Sequence, residues 1–238
     1  MKKKYVIFGA TGSVGSALAN QLYNDKLDCH LIGRNKDEIN KLAKKLNYTY
    51  SVCDVMKLDF TNNLKKDLEQ TEILGIAYCV GSIDIKLFKN TQSSDFVSSY
   101  VLNLVSVTEI IRAFQKNLTK NKGSVVLFST VAAKKGFANH SIISSAKAAV
   151  EGLTVALAAE LSPDIRINCI APSLTKSKIA SSVIKNNSIE ESIAKMHPLK
   201  RIGEGIDSAN LANFLLTSKS SWITGQIIAV DGGRSSIA

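Results

Sequence analysis

The residues best suited to chemistry stand near the start of the chain. Gly9-Ala-Thr-Gly12-Ser-Val-Gly15 follows the apolar run Tyr5-Val-Ile-Phe8 and leads directly into a helical pattern, Ala17-Leu18-Ala19 and then Leu22. A strand that ends in glycines and turns at once into a helix suits a diphosphate. Glycine lets the backbone approach the phosphates, and the helix start offers unpaired N–H groups and the positive end of its dipole. Three glycines alone are a common pattern; it is the place between strand and helix that gives this run its meaning. Gly9, Thr11, Gly12, Ser13, Val14 and Gly15 are therefore expected to hold a dinucleotide.

The elements that must position this turn alternate along the chain. Short runs rich in β-branched residues at about 28–32, 48–52, 73–80, 123–128, 165–170 and 226–230 read as strands, and patterns near 13–24, 36–46, 92–117, 138–161 and 206–217 read as helices. Such alternation gives βαβ units, and hence an α/β, Rossmann-type, doubly wound parallel sheet of about seven strands with helices on both faces. With 238 residues, 45% of them hydrophobic, and no linker or internal repeat, the chain is expected to form one domain over residues 1–238. In such sheets ligands sit beyond the carboxyl ends of the strands, so functional residues are expected just after strands.

Composition narrows the partners. The net charge of +10 comes from lysines scattered in twos and threes among acids, without an aromatic-laced basic stripe, so no nucleic-acid partner is expected. The apolar stretch after Met1-Lys-Lys-Lys4 ends at Gly9, too short for a secretory segment, and no uninterrupted apolar run approaches the ~20 residues that span a bilayer. No membrane association and a cytoplasmic location are expected. Cys29, Cys53, Cys79 and Cys169 lie far apart, each in or beside an apolar run, with no metal-ligand spacing. They read as small buried side chains, and no metal site is expected.

Several segments after strands together resemble the short-chain dehydrogenase/reductase family over nearly the whole chain. After the glycine turn come Cys53-Asp54-Val55, similar to the family's aspartate that holds the adenine amino group, and Val80-Gly81, where the family has Asn-Ala-Gly. Asn103 within Leu102-Asn-Leu-Val105 matches the family's structural Asn, and Ser129-Thr130 stands where the family keeps its catalytic hydroxyl. Ser144-Ser-Ala-Lys147-Ala-Ala-Val-Glu-Gly-Leu153 resembles the active-site helix. Arg166-Ile-Asn-Cys-Ile-Ala-Pro172-Ser and Trp222-Ile-Thr-Gly-Gln-Ile-Ile-Ala-Val-Asp-Gly-Gly233 resemble the last two strand segments. The resemblance implies a nicotinamide cofactor bordered also by Asp54, Val55, Val80, Gly81, Lys147, Pro172, Ser173 and Thr175, and hydride transfer to or from a carbonyl or alcohol. It also implies a homo-tetramer or homo-dimer built through the helices near 92–117 and 138–161.

The end of the second strand, Leu31-Ile-Gly33-Arg34-Asn35, bears on which cofactor. NAD-selecting sites place Asp or Glu there to accept from the adenosine ribose hydroxyls. Gly33 cannot repel a 2′-phosphate, and the Arg34 guanidinium offers it planar, charge-assisted bonds. NADP(H) is the expected cofactor, with NAD(H) second.

Three departures from the family pattern matter. Ser13 stands where the middle glycine of the phosphate turn is usual, and Ser173 replaces the glycine of the Pro-Gly turn. The larger change is in Tyr-x-x-x-Lys, whose tyrosine gives its proton to the carbonyl oxygen: four residues before Lys147 stands Ile143, which has none to give. Related enoyl-acyl-carrier-protein reductases separate tyrosine and lysine by six residues, and His140 and Lys147 have that spacing. A seven-residue offset returns to within roughly 20° of the same helix face, so both can border the cleft. An imidazolium is a stronger acid than a phenol, and a reductase dependent on it should slow above neutral pH. Thr130, thirteen residues before Ile143, is expected to bond the substrate oxygen, with Ser129 the neighbouring candidate. The other reading is a protein of this fold that binds NADP(H) as a regulator or scaffold and catalyses little.

Substrate choice is expected to lie in segments at about 82–92 and 174–204, the latter covering the substrate. Residues there such as Ser177, Lys178 and Lys185 select no chemistry. A small carbonyl, alcohol or acyl-thioester substrate, possessing a fatty-acyl thioester in the favoured case, follows from the resemblance alone. The positive charge is compatible with an acidic carrier. His30 reads as a strand residue and His197 as an exposed residue of the covering segment.

Overall fold

The structure, a computed structural model, describes residues 2–237. Strands β1 (Lys2–Phe8), β2 (Cys29–Gly33), β3 (Thr49–Val52), β4 (Thr71–Tyr78), β5 (Ser124–Phe128), β6 (Arg166–Pro172) and β7 (Ile227–Val230) form one sheet. Its order is β3-β2-β1-β4-β5-β6-β7, with every pair parallel. The helices are α1 (Ser13–Asn24), α2 (Lys36–Leu46), α3 (Phe60–Asp67), α4 (Ser93–Tyr100), α5 (Ser106–Lys120), α6 (Ser141–Leu161), α7 (Asn187–Lys195) and α8 (Gly205–Leu216). This is the Rossmann-type sheet expected from the alternating pattern.

Alternation along each strand splits the core in two. Val6, Phe8, Val125, Leu127, Ile167 and Cys169 face a layer holding Ile110, Phe114 and Val150. Tyr5, Ile7, Val126, Phe128 and Ile170 face α1, α2 and α8 through Leu18, Leu22, Ile39 and Ala212. Strands covered on both sides are apolar at nearly every position, which is why β5 reads Ser-Val-Val-Leu-Phe and is buried throughout.

Three elements differ from the sequence expectation. α3 and α7 lie outside the expected helices: they are only eight and nine residues long, and α3 buries only Leu64 while α7 buries none of its residues. The long helix expected near 92–117 is α4 and α5 joined by a π-helical turn, Val101–Val105. Ser93–Lys120 and α6 are long and apolar enough by length and composition to cross a membrane. Each lays one face on the sheet, through Ile110, Ile111 and Phe114 in one case and Ile142, Val150 and Ala158 in the other.

The strand order reverses between β1 and β4, and two glycines bring the chain together there. Gly9 has φ +70°, and a Cβ on it would lie 2.8 Å from the Cys79 carbonyl oxygen just after β4. A Cβ on Gly15 would lie 2.3 Å from the Gly9 carbonyl oxygen. Backbone meets backbone at both places, so no side chain is tolerated. α1 then starts at Gly12 with no side-chain cap, leaving its first amides open.

The far end of the sheet is tied by Arg166, at the start of β6. Its Nη1 donates to Ser220 Oγ (2.9 Å) and Ile223 O (3.1 Å), and its Nη2 to Leu215 O (2.9 Å) and Thr217 O (3.1 Å). One guanidinium thus satisfies the orphan carbonyls where α8 ends. Arg166→Met should cost at least about 2 kcal/mol, since these acceptors lose a charged donor. Thermal melts should then show a Tm lower by about 5 °C or more; an unchanged Tm would mean that water replaces the arginine without loss.

Candidate active site

A cavity of about 610 Å³ opens beyond the carboxyl ends of the central strands. The turn after β1 gives its wall Gly9, Thr11, Gly12, Ser13 and Val14, and the end of β2 gives Arg34. The loop after β3 adds Asp54 and Val55, and the one after β4 adds Val80 and Gly81. Pro172, Ser173 and Thr175 close it at the end of β6. Two expected site residues do not reach the wall. Gly15 is buried behind the turn, where it lets α1 pack on Gly9, and Asn103 is buried at 1% exposure behind Gly81.

Local capping sets Arg34. Asn35 Oδ1 accepts the N–H groups of Asp37 (3.0 Å) and Glu38 (3.1 Å), so α2 begins immediately after the arginine. The Glu38 carboxylate is engaged by Lys178 Nζ at 2.6 Å, reaching over from the 174–204 segment. Among the described residues Arg34 has no carboxylate partner and remains an exposed, cavity-lining cation.

The polar cluster sits at the other end. Lys147 is 6% exposed on the inner face of α6 and donates to Phe128 O at 2.8 Å. Burial pushes its ammonium down to about 8. The π-helical turn directs Asn103 inward: Nδ2 donates to Ser99 O at 2.9 Å, while buried Oδ1 has no partner among the described residues. A Cβ on Gly81 would lie 3.3 Å from both Asn103 Oδ1 and Lys147 Nζ, so an acceptor and a cation converge on a spot kept free by glycine. An unpaired buried carbonyl costs free energy unless a ligand or water meets it.

The two candidate hydroxyls separate. Ser129 Oγ donates inward, to Glu151 Oε1 at 2.8 Å with Lys147 O at 3.2 Å, and is committed to α6. Thr130 Oγ1 accepts from the Ala132 N–H at 3.3 Å, which leaves its own hydrogen for the cavity. Ile143 is on the wall at 5% exposure, one turn before Lys147. His140 lines the same cavity one turn earlier still, at the start of α6. Its Nδ1 is 2.7 Å from Ala138 O, a pure acceptor, so Nδ1 carries hydrogen and Nε2 is the nitrogen that can exchange a proton.

The family model described as Enoyl-(Acyl carrier protein) reductase matches residues 9–235 of this chain. The chain belongs to the short-chain dehydrogenase/reductase family. It is 31% identical over 235 residues to the 3-oxoacyl-(acyl-carrier-protein) reductase FabG of Rickettsia bellii, covering 96% of this chain and 95% of that one. It is 30% identical over 240 residues to carbonyl reductase family member 4 of Danio rerio, covering 98% of each. Among solved structures, an ElxO variant with NADPH bound superposes with a TM-score of 0.89 at 25% identity, over 98% of this chain and 99% of that one.

Several short-chain dehydrogenase/reductase features of this chain emerge only from its structure. His197, expected at the surface, is 1% exposed: Ser173 Oγ lies 2.8 Å from its Nε2, and its Nδ1 lies 2.8 Å from Ile193 O. The serine that replaces the Pro-Gly glycine thus has a dedicated partner, which pins the end of α7 to the end of β6. Cys29 and Cys169 are buried as expected, but Cys53 and Cys79 border the cavity. Burial pushes their thiols up to about 11 and about 12, so they stay protonated. His30, a β2 residue, is wedged between Thr49 Oγ1 and Ser51 Oγ, both at 2.9 Å, and burial pushes it down to about 4. No local motif could reveal the His197, Lys178 or cavity-cysteine contacts, because each joins separate elements.

The Lys147 shift has a sign that stability can read. Its pKa is about 8 when folded and near the ordinary 10.5 when unfolded, so the folded state bears the desolvation cost below pH 8 and is relieved of it as pH rises towards 10. A shift of this size corresponds to about 3 kcal/mol. Lys147→Met should therefore raise the Tm of the cofactor-free protein at pH 7, with the gain shrinking between pH 8 and 10. A gain that does not vary with pH would show that the lysine carries no such burden.

Proposed function

We propose that this member of the oxidoreductase family is an NADP(H)-dependent reductase of small carbonyl compounds, with 3-oxoacyl or enoyl thioesters the favoured class. The observation that carries this reading is the convergence of Lys147 Nζ and Asn103 Oδ1 on Gly81, at one end of a cavity whose other end presents Arg34. The residues fit a phosphorylated dinucleotide. The Gly9–Gly15 turn leaves room for phosphates, and among the described residues Arg34 has no carboxylate to answer. A Cβ on Gly33 would meet Ile39 Cδ1 at 3.3 Å, so an acidic side chain has little space there. The NADPH-bound ElxO variant supports the cofactor, and the FabG relative supports the 3-oxoacyl class of substrate.

When bound, the reduced nicotinamide supplies the hydride. Thr130 donates its hydroxyl hydrogen to the substrate oxygen and holds it in place. His140, as imidazolium, delivers a proton from Nε2 to that oxygen, in the role that Ile143 cannot fill. Lys147 would hold the nicotinamide ribose hydroxyls by its ammonium, and Asn103, buried behind Gly81, would support that end of the cavity from beneath with its unpaired carbonyl. Residues 174–204 cover the substrate, and Ile179, Val183, Ile193 and Met196 supply apolar walls for its chain. The outward faces of α4 to α6 expose Val97, Val105 and Val155, which suits pairing of identical chains through these helices in a homo-dimer or homo-tetramer.

The test is NADPH oxidation with a panel of 3-oxoacyl thioesters, enoyl thioesters and simple ketones. Turnover is expected on at least one. His140→Ala should lower kcat by about 100-fold or more, while NADPH affinity stays within a few-fold. NADPH binding without turnover on any substrate would make the protein a cofactor-binding scaffold. Unchanged turnover in His140→Ala would remove the histidine from the mechanism.

A further inference from the structure

The sequence contains five arginines, and their partners divide them sharply. Arg112 and Arg201 pair with Glu109 and Asp207, and Arg166 donates to a hydroxyl and three carbonyls. Among the described residues, only Arg34 and Arg234 have guanidiniums that reach no oxygen acceptor, and both line the cavity. Arg34 is accounted for by the cofactor. Arg234 stands at the opposite, substrate end and has no assigned task.

Its setting is built rather than loose. The guanidinium carbon lies 4.8 Å from the centroid of the Phe137 ring, within cation–π range. Nη2 is 3.4 Å from Met196 Sδ, a weak acceptor. Lys135 Nζ donates to the Arg234 carbonyl at 2.7 Å and holds the backbone. The nearest acid in sequence is already spent: Asp231 accepts the N–H of Gly233 and both the N–H and hydroxyl of Ser235. Partial burial lowers the Arg234 pKa from its ordinary value, and no carboxylate among the described residues offsets that cost. The other face of this cluster is catalytic, because the Phe137 ring lies 5.5 Å from the His140 imidazole.

We propose that Arg234 is the anchor for an anionic group, a carboxylate or phosphate, on the substrate of this cavity. The guanidinium offers an oxyanion a planar pair of N–H donors, and the charge pair would replace a missing counter-ion. The apolar walls beside it, Val183 and Ile193, take the substrate's hydrocarbon body. The substrate class is thus an apolar carbonyl compound bearing one anionic group, placed one aromatic ring away from the proton donor. This deepens the reductase reading and rests on it for the identity of the reacting carbonyl; the anion site itself does not.

Calorimetric titration tests it without turnover. Protein saturated with NADP+, so that the phosphate turn is filled, is titrated with hexanoate, monohexyl phosphate and hexanamide. At least one anion should bind roughly tenfold or more tighter than the amide, and which one does so names the group. Arg234→Met should reduce that preference to within about twofold, and Arg234→Lys should retain part of it, since charge survives without the planar fork. Equal binding of all three ligands, binding of none, or a preference that persists in Arg234→Met at unchanged Tm would overturn the proposal. If NADP+ itself fails to bind, the reductase reading is lost. The same ligands titrated into free protein then still report on Arg234, through the Met variant's effect.

Discussion

Contact between bare backbones at the crossing of β1 and β4 governs the site. Gly9 lies against the Cys79 carbonyl, and Gly15 lies against Gly9. Any side chain there would push α1 away from the ends of the strands, and the helix amides would no longer look into the cavity. The same closeness fixes Val80 and Gly81 opposite the phosphate turn, with Asn103 and Lys147 directly behind Gly81. One steric condition therefore aligns the phosphate end and the ribose end of the cavity. A dinucleotide, long and charged in its middle, is the ligand class that needs both.

The second condition is electrostatic. A buried ammonium on α6 is held by the Phe128 carbonyl, with burial weakening its charge. Such a group is a poor contributor to stability and a good one to binding, because a ligand's hydroxyls satisfy donors that the fold leaves short. Isoleucine at position 143 does not dismantle this arrangement, since Lys147 lines the cavity one turn further along α6 and Asn103 is buried behind Gly81. His140, Ile143 and Lys147 share one face of α6, so a donor moved by one turn still addresses the same cavity.

How much of this was legible depended on whether the signal was local. Strand and helix periods mark all seven strands and the long helices, because burial on both faces imposes apolar runs on β5 or β6 whatever packs against them. The glycine turn and Arg34 stand out from a few neighbouring residues, whereas Thr130 stands out only through the family resemblance and its spacing to Ile143. The π-helical turn was hidden, since Val-Leu-Asn-Leu-Val reads as ordinary helix and its widening becomes visible only in the hydrogen bonds. Helices α3 and α7 span only eight and nine residues, too few turns to set a helical period apart from a polar loop. His197 on Ser173, Lys178 on Glu38 and Arg234 on Phe137 join residues 24, 140 and 97 positions apart, and no run of sequence announces such pairs.

The central claim is that the β1–α1 turn and Arg34 together hold a dinucleotide and choose its phosphorylated form. Fluorescence titration of the protein with NADPH and with NADH tests it most directly. The account predicts saturable NADPH binding, with NADH weaker by roughly tenfold or more, as the loss of one charged phosphate contact requires, and a reversed order in Arg34→Asp. Absence of saturable binding by either dinucleotide would contradict it.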